Sequence, residues 1–503
     1  MTEVVLNEVR KGFYLDSVAL MRLSREIAAA PGIIDAALMM GTPANMAILK
    51  TAGLLEDQTS ARAQGNDLIL AVRAQSEASA RGAIVQAERA LDKPKSQTTS
   101  TQAWRPRTIA AAIKGQDEFN LALISVPGDF AAAEARKALR RGLHVLMFSD
   151  NVDIDDERAL KQEAQERDLL LMGPDCGTAI INGTPLAFAN KVSSGSIGLI
   201  GASGTGIQEV SSLVSEAGQG ISHAIGVGGR DLKKEVGGIT TLMAMDALDA
   251  DPMTTKIILI SKPPHPDVAE KITQRIAKSP KPYVVCFVGA KEAELPPNGK
   301  FASTLKEAAE VALGGSINKE GFEPADFPAK YTPQPSGKRI EGLYAGGTLC
   351  AEAQVILTKA GRKIASNAPI PGINHTDEEG VSDRERIIDL GSDEYTKGRP
   401  HPMIDPSVRD AALRAALANS QLGVVLVDVV IGYGAHADPA SSLVQVVEDR
   451  GPDAPAIVAS VCGTELDPQV RSRQIKILQD AGIFVAPSNA DACLLALSIV
   501  PRG

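Results

Sequence analysis

The chain has 503 residues, of which 44% are hydrophobic and 22% are charged, and its net charge is −9. This length predicts roughly three or four globular domains, and the acidic charge and the aromatic content of only 3% argue against a nucleic-acid partner. We expect a cytosolic protein, because no apolar run reaches the ~20 residues of a membrane span and the first residues do not resemble a signal peptide.

The first segment predicts a small α/β sandwich, which we place at residues 1–95. Its strand-like runs read VVLNEV, IDAALMM and DLILAVRA, and helix-like runs cover residues 17–30 and 77–91. The run between the second and third strands is predicted to be a loop. A Lys/Ser/Thr-rich stretch at 91–104, which contains a proline, is typical of a linker.

Three further segments repeat the alternation of strands and helices that indicates parallel sheets. A Rossmann-like domain is expected at 105–193, where NLALISVP, an Ala-rich helix, LHVLMFSD and DLLLMGPDCG follow one another. A second domain is expected at 194–316, and the Pro- and Gly-rich linker 317–338 separates it from a last domain at 339–503. The fold class is therefore α/β, with several doubly wound parallel-sheet domains after the small N-terminal sandwich.

Two glycine-rich turns lie between the end of a strand and the start of a helix, where open parallel sheets bind ligands. The run GLIGASGTGIQEV contains Ser203 and Gly204, and the run GLYAGGTLCAEAQ contains Gly346 and Gly347. A helix N-terminus carries about half a positive charge and unpaired N–H groups, so a phosphate or carboxylate fits there. A tight turn without a ligand is the alternative for either turn alone. Together, the two turns predict that two helix starts face one shared anion.

The order of these motifs resembles that in a known family. The stretch from GPDCGTAI to IGVGGRDL is similar to the succinyl-CoA synthetase α subunit, which has a GPNC-type turn, an SGT helix start and a GIGG-D-like segment. The stretch from EGLYAGGTLCAEAQ to AGIFVAPSNADA resembles the C-terminal domain of the β subunit. The fused arrangement, with MMGTPANMAI, GRPHPMIDP and VCGTELDPQ, resembles the FdrA family over nearly the whole chain. This implies a CoA-binding Rossmann-like domain followed by two flavodoxin-like synthetase-type domains.

The resemblance also implies which residues bind ligands. In the synthetase family both glycine-led helix starts bind the active-site phosphate, which assigns this role to Ser203, Gly204, Thr205, Gly206, Gly346, Gly347 and Thr348. The strand ends SVPGDF and MFSDNVD resemble CoA-binding positions. Together with nearby turns, they imply substrate or CoA contacts for Val126, Pro127, Ser149, Asp150, Asn151, Asp175, Cys176, Gly228, Gly229 and Arg399.

Three features of the synthetase family are missing. That family carries phosphate on a histidine in a GHAGA segment, whereas the matching residues 296–308 read PPNGKFASTLKEA and contain no histidine. A nucleotide-grasping domain of ~200 residues has no room in the chain. The glycine-rich first CoA turn is replaced by RAQSEASARG.

FdrA-type proteins are associated with oxamate carbamoyltransferase in allantoin and purine breakdown. The resemblance therefore implies a subunit of that enzyme, which converts oxalurate and phosphate to oxamate and carbamoyl phosphate. Phosphate would be a co-substrate, no cofactor is assigned, and CoA binding stays open. Expected partners are a small-molecule substrate, further subunits of a hetero-oligomer and a second copy in a homodimer, without nucleic acid or membrane. The alternatives are an NDP-forming acyl-CoA synthetase acting through an acyl phosphate, and a non-catalytic scaffold subunit.

Three further side chains are candidates for catalysis. Arg230 is able to clamp a carboxylate or phosphate if Asp231 fixes its guanidinium, and a surface ion pair is the alternative. His401, in the loop GRPHPMIDP, is a candidate general acid near neutral pH, and a single structural hydrogen bond is its alternative. His436 follows the strand VVLVDVVIG, where substrate contact competes with a structural role at a helix start.

The remaining cysteine, histidine and lysine patterns predict little chemistry. Five cysteines without a C-x-x-C pair and six histidines without H-x-x-x-H spacing argue against a disulfide scaffold and a metal site. Cys176 is expected to shape the wall of the pocket rather than to act as a nucleophile. Lys262, after the strand IILIS, is either an anion contact or a solvated lysine.

Overall fold

The computed structural model describes residues 3–13, 15, 17–56, 59, 62–92, 106, 108–115, 118–317, 322, 337–378, 380, 383–396 and 400–500. The chain forms two compact units. Residues 1–152 and 396–400 make the first unit, and residues 153–395 and 401–503 make the second. The predicted linkers at 91–104 and 317–338 lie almost entirely outside the described residues. In the described part of the chain, no helix combines the length and apolar character needed to cross a bilayer.

The first unit contains five strands and five helices among its described residues. The strands are β1 (Val4–Arg10), β2 (Ile33–Met40), β3 (Leu68–Ala74), β4 (Leu121–Ile124) and β5 (His144–Met147). The helices are α1 (Ser17–Ala28), α2 (Pro43–Thr51), α3 (Glu77–Asp92), α4 (Ile109–Ile113) and α5 (Gly128–Leu139).

Strands β1, β3 and β2 form an antiparallel sheet in that order. Because β1 and β2 are both antiparallel to β3, they run parallel to each other, and α1 makes the crossover between them. Helices α1 and α3 bury Leu20, Ile27 and Ala83 against Leu70 and Val72 of β3. The predicted small α/β sandwich is therefore confirmed.

Helix α2 lies where the sequence predicted a loop. Thr42 is its N-cap, accepting a hydrogen bond from Asn45 N–H at 3.3 Å, and Pro43 occupies the first turn. Both residue types are favoured at a helix start. The Thr-Pro pair was the signal that the sequence reading overlooked.

The second unit holds the remaining elements. Its strands are β6 (Leu171–Met172), β7 (Thr178–Ile181), β8 (Thr184–Ala187), β9 (Ser194–Gly201), β10 (Ile221–Gly226), β11 (Lys256–Ser261), β12 (Tyr283–Phe287), β13 (Gly299–Phe301), β14 (Arg339–Tyr344), β15 (Ile364–Ser366), β16 (Asn374–His375), β17 (Glu385–Asp389), β18 (Leu422–Val430), β19 (Ala456–Cys462) and β20 (Phe484–Ala486). Its helices are α6 (Ile154–Glu166), α7 (Gly204–Glu216), α8 (Ile239–Ala250), α9 (Pro266–Ala277), α10 (Leu305–Leu313), α11 (Gly347–Lys359), α12 (Asp393–Thr396), α13 (Asp410–Leu417), α14 (Pro439–Val447), α15 (Arg471–Asp480) and α16 (Asn489–Ile499), with a 3₁₀ turn at Pro406–Arg409.

Two seven-stranded sheets organise the described residues of this unit. Sheet A has the order β13-β12-β11-β9-β10-β7-β8, and sheet B has the order β16-β15-β17-β14-β18-β19-β20. The strand pairs of sheet B are parallel, and so are those of sheet A from β13 to β10. The hairpin β7–β8 adds to sheet A in antiparallel fashion, so this sheet extends across the domain boundary expected at residue 194.

A layer of helices between the two sheets joins them into one unit. One continuous core contains Ile207 of α7, Ala308 of α10, Leu349 of α11 and Ala496 of α16, together with apolar residues of both sheets. Helices α7 and α11 are buried nearly all round, including their polar residues Gln208 and Gln354. A second core packs the other face of sheet B against α13, α14 and α15. The predicted α/β class with doubly wound parallel sheets is confirmed.

The loop after β19 ties the two sheets together through one buried carboxylate. Asp467 accepts hydrogen bonds from Asn190 Nδ2 and from Lys191 N–H, both at 2.8 Å. Thr464 N–H donates to the same carboxylate at 2.8 Å, and the Thr464 hydroxyl donates to the Lys191 carbonyl at 2.6 Å. The run VCGTELDPQ therefore holds the segment before β9 against sheet B.

We predict that Asp467→Ala destabilises the second unit by about 2–4 kcal/mol, because the N–H groups of Lys191 and Thr464 and the Asn190 amide lose this buried acceptor. Urea denaturation measures the loss. The control is Asp480→Ala, which removes an exposed partner of Lys476 and should cost less than about 1 kcal/mol. Equal losses for the two variants would contradict the role assigned to Asp467.

Candidate active site

The two glycine-led helix starts meet at one place. Ser203 is the N-cap of α7, and its Oγ accepts a hydrogen bond from Gly206 N–H at 3.0 Å. The same oxygen is hydrogen-bonded to Thr348 Oγ1 in the first turn of α11. A Cβ atom placed on Gly346 would lie 3.0 Å from Thr205 Cγ2. The convergence of the two turns that the sequence predicted is therefore present.

Helix packing explains this convergence. Helix α7 follows β9 of sheet A, and α11 follows β14 of sheet B, so each begins at the carboxyl end of a strand. Both helices lie in the shared layer, where they contact each other. Their positive ends therefore point to the same edge of the unit, where their dipoles add.

A buried carboxylate holds the turn before α11. Asp428, which is fully buried in β18, accepts hydrogen bonds from Ala345 N–H and Gly346 N–H, both at 2.7 Å. Arg409 neutralises it through a 2.7 Å ion pair and also donates to the Asp428 carbonyl at 2.7 Å. The Gly346 N–H is thus already bonded, although the sequence assigned it to a phosphate.

The donors left for a ligand come from both helices. Gly206 N–H is bonded to Ser203, which leaves the N–H groups of Gly204 and Thr205 in the first turn of α7. In α11, the first-turn N–H groups of Gly347 and Thr348 have no intrahelical acceptor. One hydroxyl of the Ser203–Thr348 pair donates to the other, so four backbone N–H groups and one hydroxyl proton remain at the contact between the helices, which is a set suited to an oxyanion.

Two charged side chains, Asp389 and Lys262, lie beside this contact. The sequence analysis did not identify Asp389, and it left the role of Lys262 open. Asp389, at the end of β17, is only 7% exposed. Its Oδ2 lies 2.6 Å from the position that a Cβ of Gly347 would take. Burial raises the pKa of Asp389 to about 6, and the positive charge of Lys262 limits the rise. Lys262 follows β11 and is exposed. The sequence signal that could have identified Asp389 is an acidic residue at the end of the apolar run RIID.

The structure does not support His401 as a general acid at neutral pH. Burial lowers the pKa of His401 to about 4, so its imidazole is neutral at pH 7. Its Nδ1 accepts a hydrogen bond from Met403 N–H at 3.2 Å. A Cβ atom placed on Gly391 would lie 2.6 Å from His401 Nε2 and 3.2 Å from Asp389 Oδ1. His401 therefore packs against the turn that carries Asp389.

The turns GPDCG (residues 173–177) and GVGG (residues 226–229) lie near the start of α7. Thr178 is the residue that connects them to it. A Cβ on Gly204 would lie 3.0 Å from Thr178 Oγ1, and one on Gly226 would lie 2.3 Å from the Thr178 carbonyl oxygen. A Cβ on Gly228, which has φ +85°, would lie 2.4 Å from the Pro174 oxygen. Glycine is required at that contact.

Further candidate residues lie at these two turns. Asp175 Oδ2 would be 4.0 Å from a Cβ on Gly229, and Cys176 is buried beneath them. Burial raises the pKa of Cys176 to about 12, which keeps it a neutral thiol at pH 7 and fits a wall residue rather than a nucleophile.

Arg230 and Asp231 do not pair with each other as the sequence suggested. Arg230 forms an ion pair with Glu157 of α6 at 2.8 Å. Asp231 is fully buried, bonds to Lys161 Nζ at 2.7 Å and accepts from Thr241 N–H at 2.9 Å. The side chains of Arg230 and Asp231 point to opposite sides of the turn. Asp231 therefore fixes the start of α8 rather than the Arg230 guanidinium.

The other candidates are distributed as follows. His436 Nδ1 accepts a hydrogen bond from Asp438 N–H at 3.1 Å, just before α14. Arg399 lies outside the described residues.

The positions resembling CoA contacts lie together in the first unit, at the ends of β4 and β5. Ser149 Oγ donates a hydrogen bond to the Val126 carbonyl at 2.5 Å. A Cβ on Gly128 would lie 2.4 Å from the Asp150 carbonyl oxygen. These positions are Val126, Pro127, Ser149, Asp150 and Asn151. Among the described residues, no group of three His, Cys, Asp or Glu side chains is placed to hold a metal ion.

Sequence reasoning missed a buried carboxylate pair in the helix layer. Glu209 and Glu352 each lie six residues after the N-cap of their helix, and they are 3% and 0% exposed. Asn489 links them, because its N–H donates to Glu209 Oε1 at 3.2 Å and its Nδ2 donates to Glu352 Oε2 at 2.7 Å. Burial raises the pKa of Glu352 to about 7, and the Glu209 charge adds to the rise.

This pair predicts a pH-dependent stability. The folded protein keeps a proton on Glu352 up to about pH 7, whereas the unfolded chain releases it near pH 4.5. Stability from this group is therefore present below about pH 4.5 and is lost as the pH rises to about 7, by roughly 2–3 kcal/mol. Urea denaturation across pH 5–8 should show this decline in the natural protein and a weaker one in Glu352→Gln. Glu448→Gln, at an exposed position, should follow the natural protein. Parallel curves for Glu352→Gln and the natural protein would count against a protonated Glu352.

Family models match three parts of the chain. Residues 1–106 match the model described as AllF, heavy metal-associated domain, residues 192–289 match the CoA binding domain, and residues 343–499 match CoA-ligase. Residues 1–106 contain neither cysteine nor histidine. Cysteine thiolates and histidine imidazoles, two common ligands of transition-metal ions, are therefore absent from this segment.

Solved structures found to be similar to this chain include a dinucleotide-forming acetyl-coenzyme A synthetase 1 from Ca. Korarchaeum cryptofilum, in complex with phosphate and ADP. It is 16% identical with a TM-score of 0.32, over 81% of this chain and 87% of that chain. An ATP citrate lyase from Methanothrix soehngenii, in complex with citrate and coenzyme A, is 19% identical with a TM-score of 0.33, over 43% of this chain and 38% of that chain.

Relatives in sequence cover different extents. The succinate–CoA ligase [ADP-forming] subunit alpha-2 of Trichomonas vaginalis is 30% identical over 40% of this chain and 64% of its own length. Protein YahF of Escherichia coli (strain K12) is 40% identical over 98% of both chains. Together, the matched domains and this full-length relative show that the chain belongs to the FdrA family and is a succinyl-CoA synthetase-like protein of the CoA-ligase type.

Proposed function

We propose that the chain binds the phosphoryl group of a small acyl phosphate between the starts of α7 and α11, and that it acts there in acyl transfer between phosphate and CoA. The hydrogen bond between Ser203 and Thr348 carries this proposal, because it joins the two helix starts at one point. Such a site places preorganised donors where phosphoryl charge accumulates.

The charges around the contact support the same chemistry. The Asp428 carboxylate is neutralised by Arg409 and is used internally to hold the α11 turn. Lys262 is the nearby cation that has no hydrogen-bond or ion-pair partner among the described residues. A phosphate with two negative charges would thus meet two helix dipoles and one ammonium group.

The acyl acceptor is proposed from the family. Residues 192–289 and 343–499 match CoA-binding and CoA-ligase models, which supports CoA as the second substrate. Several sequence relatives are described as ligase subunits, which supports a hetero-oligomer. We propose phosphate as co-substrate and no bound cofactor beyond these two molecules.

A second candidate is carbamoyl transfer, with oxalurate and phosphate giving oxamate and carbamoyl phosphate. One observation supports it against a ligase that works through a phosphohistidine: residues 296–308, which resemble the phosphohistidine segment of the synthetases, contain no histidine and form β13 and the start of α10. Direct attack of phosphate on a carbamoyl carbon needs no phosphohistidine. A non-catalytic scaffold is the outcome if neither reaction occurs.

We predict that Thr348→Val weakens phosphate binding about tenfold or more, because a hydrogen bond to a charged group contributes about 1.5–3 kcal/mol. Isothermal titration calorimetry with inorganic phosphate, and then with acetyl phosphate, measures the change. Thr42→Ala removes an N-cap oxygen in the first unit and should leave the Kd unchanged. Unaltered phosphate binding in both Thr348→Val and Ser203→Ala would remove the basis for this site.

Turnover distinguishes the candidate reactions. The purified chain, alone and with its partner subunits, would be incubated with acyl phosphates and CoA, or with oxalurate and phosphate. Formation of acyl-CoA supports the ligase-type reaction, and formation of carbamoyl phosphate supports carbamoyl transfer. Phosphate binding without either product, with every partner present, would favour the scaffold.

A further inference from the structure

Asp389 lies against the first turn of α11. Because Gly347 has no side chain, Asp389 Oδ2 approaches this turn to within 2.6 Å of the position that a Cβ would take. Asp389 Oδ1 accepts a hydrogen bond from Gly391 N–H at 2.9 Å. Asn367 fixes the backbone on both sides, accepting from Asp389 N–H at 2.8 Å and donating to the Asp389 carbonyl at 2.9 Å. The carboxyl group is therefore held in one place by its neighbours.

The two oxygens of Asp389 differ in their bonding. Oδ1 is bonded to Gly391, whereas Oδ2 has no hydrogen-bond partner among the described residues. This free oxygen faces the helix start that offers the Gly347 and Thr348 N–H groups. A carboxylate in that position would repel an incoming phosphate, whereas a carboxyl group would donate a hydrogen bond to it.

The charged and titratable groups facing Asp389 come from every element around it. They are Lys262 after β11, Asp428 in β18, Asp393 in α12, Cys350 in α11 and His401 in the loop before the 3₁₀ turn. Asp428 and Asp393 raise the pKa of Asp389, and Lys262 lowers it. Burial is the largest cause and brings the pKa to about 6. Since Asp428 is already paired with Arg409, Lys262 is the cation left to balance an anion.

We infer that Asp389 completes the phosphate site as a neutral acid, donating its Oδ2 proton to the bound oxyanion while Lys262 supplies the balancing positive charge. This inference rests on the proposed function and goes beyond it, because it makes the site bind an anion together with a proton. Asp389 and Lys262 come from different sheets, so the site is complete only when the two halves of the unit are docked.

The same group balances the proton in the proposed reaction. An oxygen of hydrogen phosphate attacks the acyl carbon, and the bond from that carbon to the sulfur or nitrogen leaving atom breaks. The leaving atom keeps the electron pair and takes the proton of Asp389. The resulting Asp389 carboxylate takes the proton that hydrogen phosphate releases, which restores the neutral acid. The reverse sequence serves transfer from acyl phosphate to CoA.

Sulfate tests the inference without a reaction, because it stays a dianion across pH 5.5–8. A group with a pKa of about 6 is about 1% protonated at pH 8, so the Kd for sulfate should rise between about tenfold and a hundredfold from pH 5.5 to pH 8. Asp389→Asn should change less than about threefold over this range, since its amide donates at every pH. Lys262→Met should bind more weakly at both pH values and keep the pH dependence. Glu448→Gln, at an exposed position outside the site, should behave as the natural protein.

Proton uptake by the natural protein is the second measurement, which depends on no variant. Calorimetry in two buffers of different ionisation enthalpy should show about one proton taken up per sulfate at pH 7.5. Absence of uptake, or a pH dependence that persists in Asp389→Asn, overturns the inference while leaving the phosphate site in place. Failure of the natural protein to bind either sulfate or phosphate at pH 5.5 overturns the proposed function itself.

Discussion

Helices α7 and α11 pack against each other between two parallel sheets, and each begins at the carboxyl end of a strand. Both sheets are wound so that strands end on the same side of the shared layer, and the positive ends of the two helices consequently meet. The Ser203–Thr348 hydrogen bond marks this meeting point. The candidate site depends on this packing, because neither helix start alone distinguishes an anion site from an ordinary turn.

The layer that creates the site also contains buried polar groups that an apolar core would not need. Glu209, Asn489 and Glu352 connect α7, α16 and α11, and Asp428 with Arg409 fixes the turn before α11. Buried charges are costly to desolvate, so their contribution to stability is small or negative unless every partner is present. Their structural effect is to fix positions, because each of these groups holds a backbone segment near the two helix starts in place.

The proposed chemistry differs from that of a synthetase that stores phosphate on a histidine. The only histidine that the structure places beside the α11 turn, among the described residues, is His401, and burial keeps it neutral and bonded to Met403 N–H. Asp389 and Lys262 are the groups at the rim of the site. An acid and an ammonium group around a preorganised oxyanion site suit acyl exchange with phosphate, in which no phosphoryl group is transferred to the protein. The N-terminal segment matches the model described as AllF, heavy metal-associated domain, and contains neither cysteine nor histidine.

The amino-acid sequence by itself determined the α/β class, the principal strands and the two glycine-led helix starts, because these follow from nearby residues: apolar periodicity, and glycine and serine at Gly201–Gly206 and Gly346–Thr348. It did not predict β17, which carries Asp389, or the short strands β7, β8, β13, β15 and β16. Even the missed helix α2 carried a local Thr-Pro signal. Tertiary structure alone decided which groups meet. Asp428 lies 83 residues from the Ala345 N–H that it holds, and Asp231 turns to Lys161, 70 residues away, rather than to its neighbour Arg230. Such contacts depend on how the sheets and helices pack, and no local sequence pattern encodes a contact between residues so far apart in the chain. The position of Asp389 against Gly347 likewise depends on this packing.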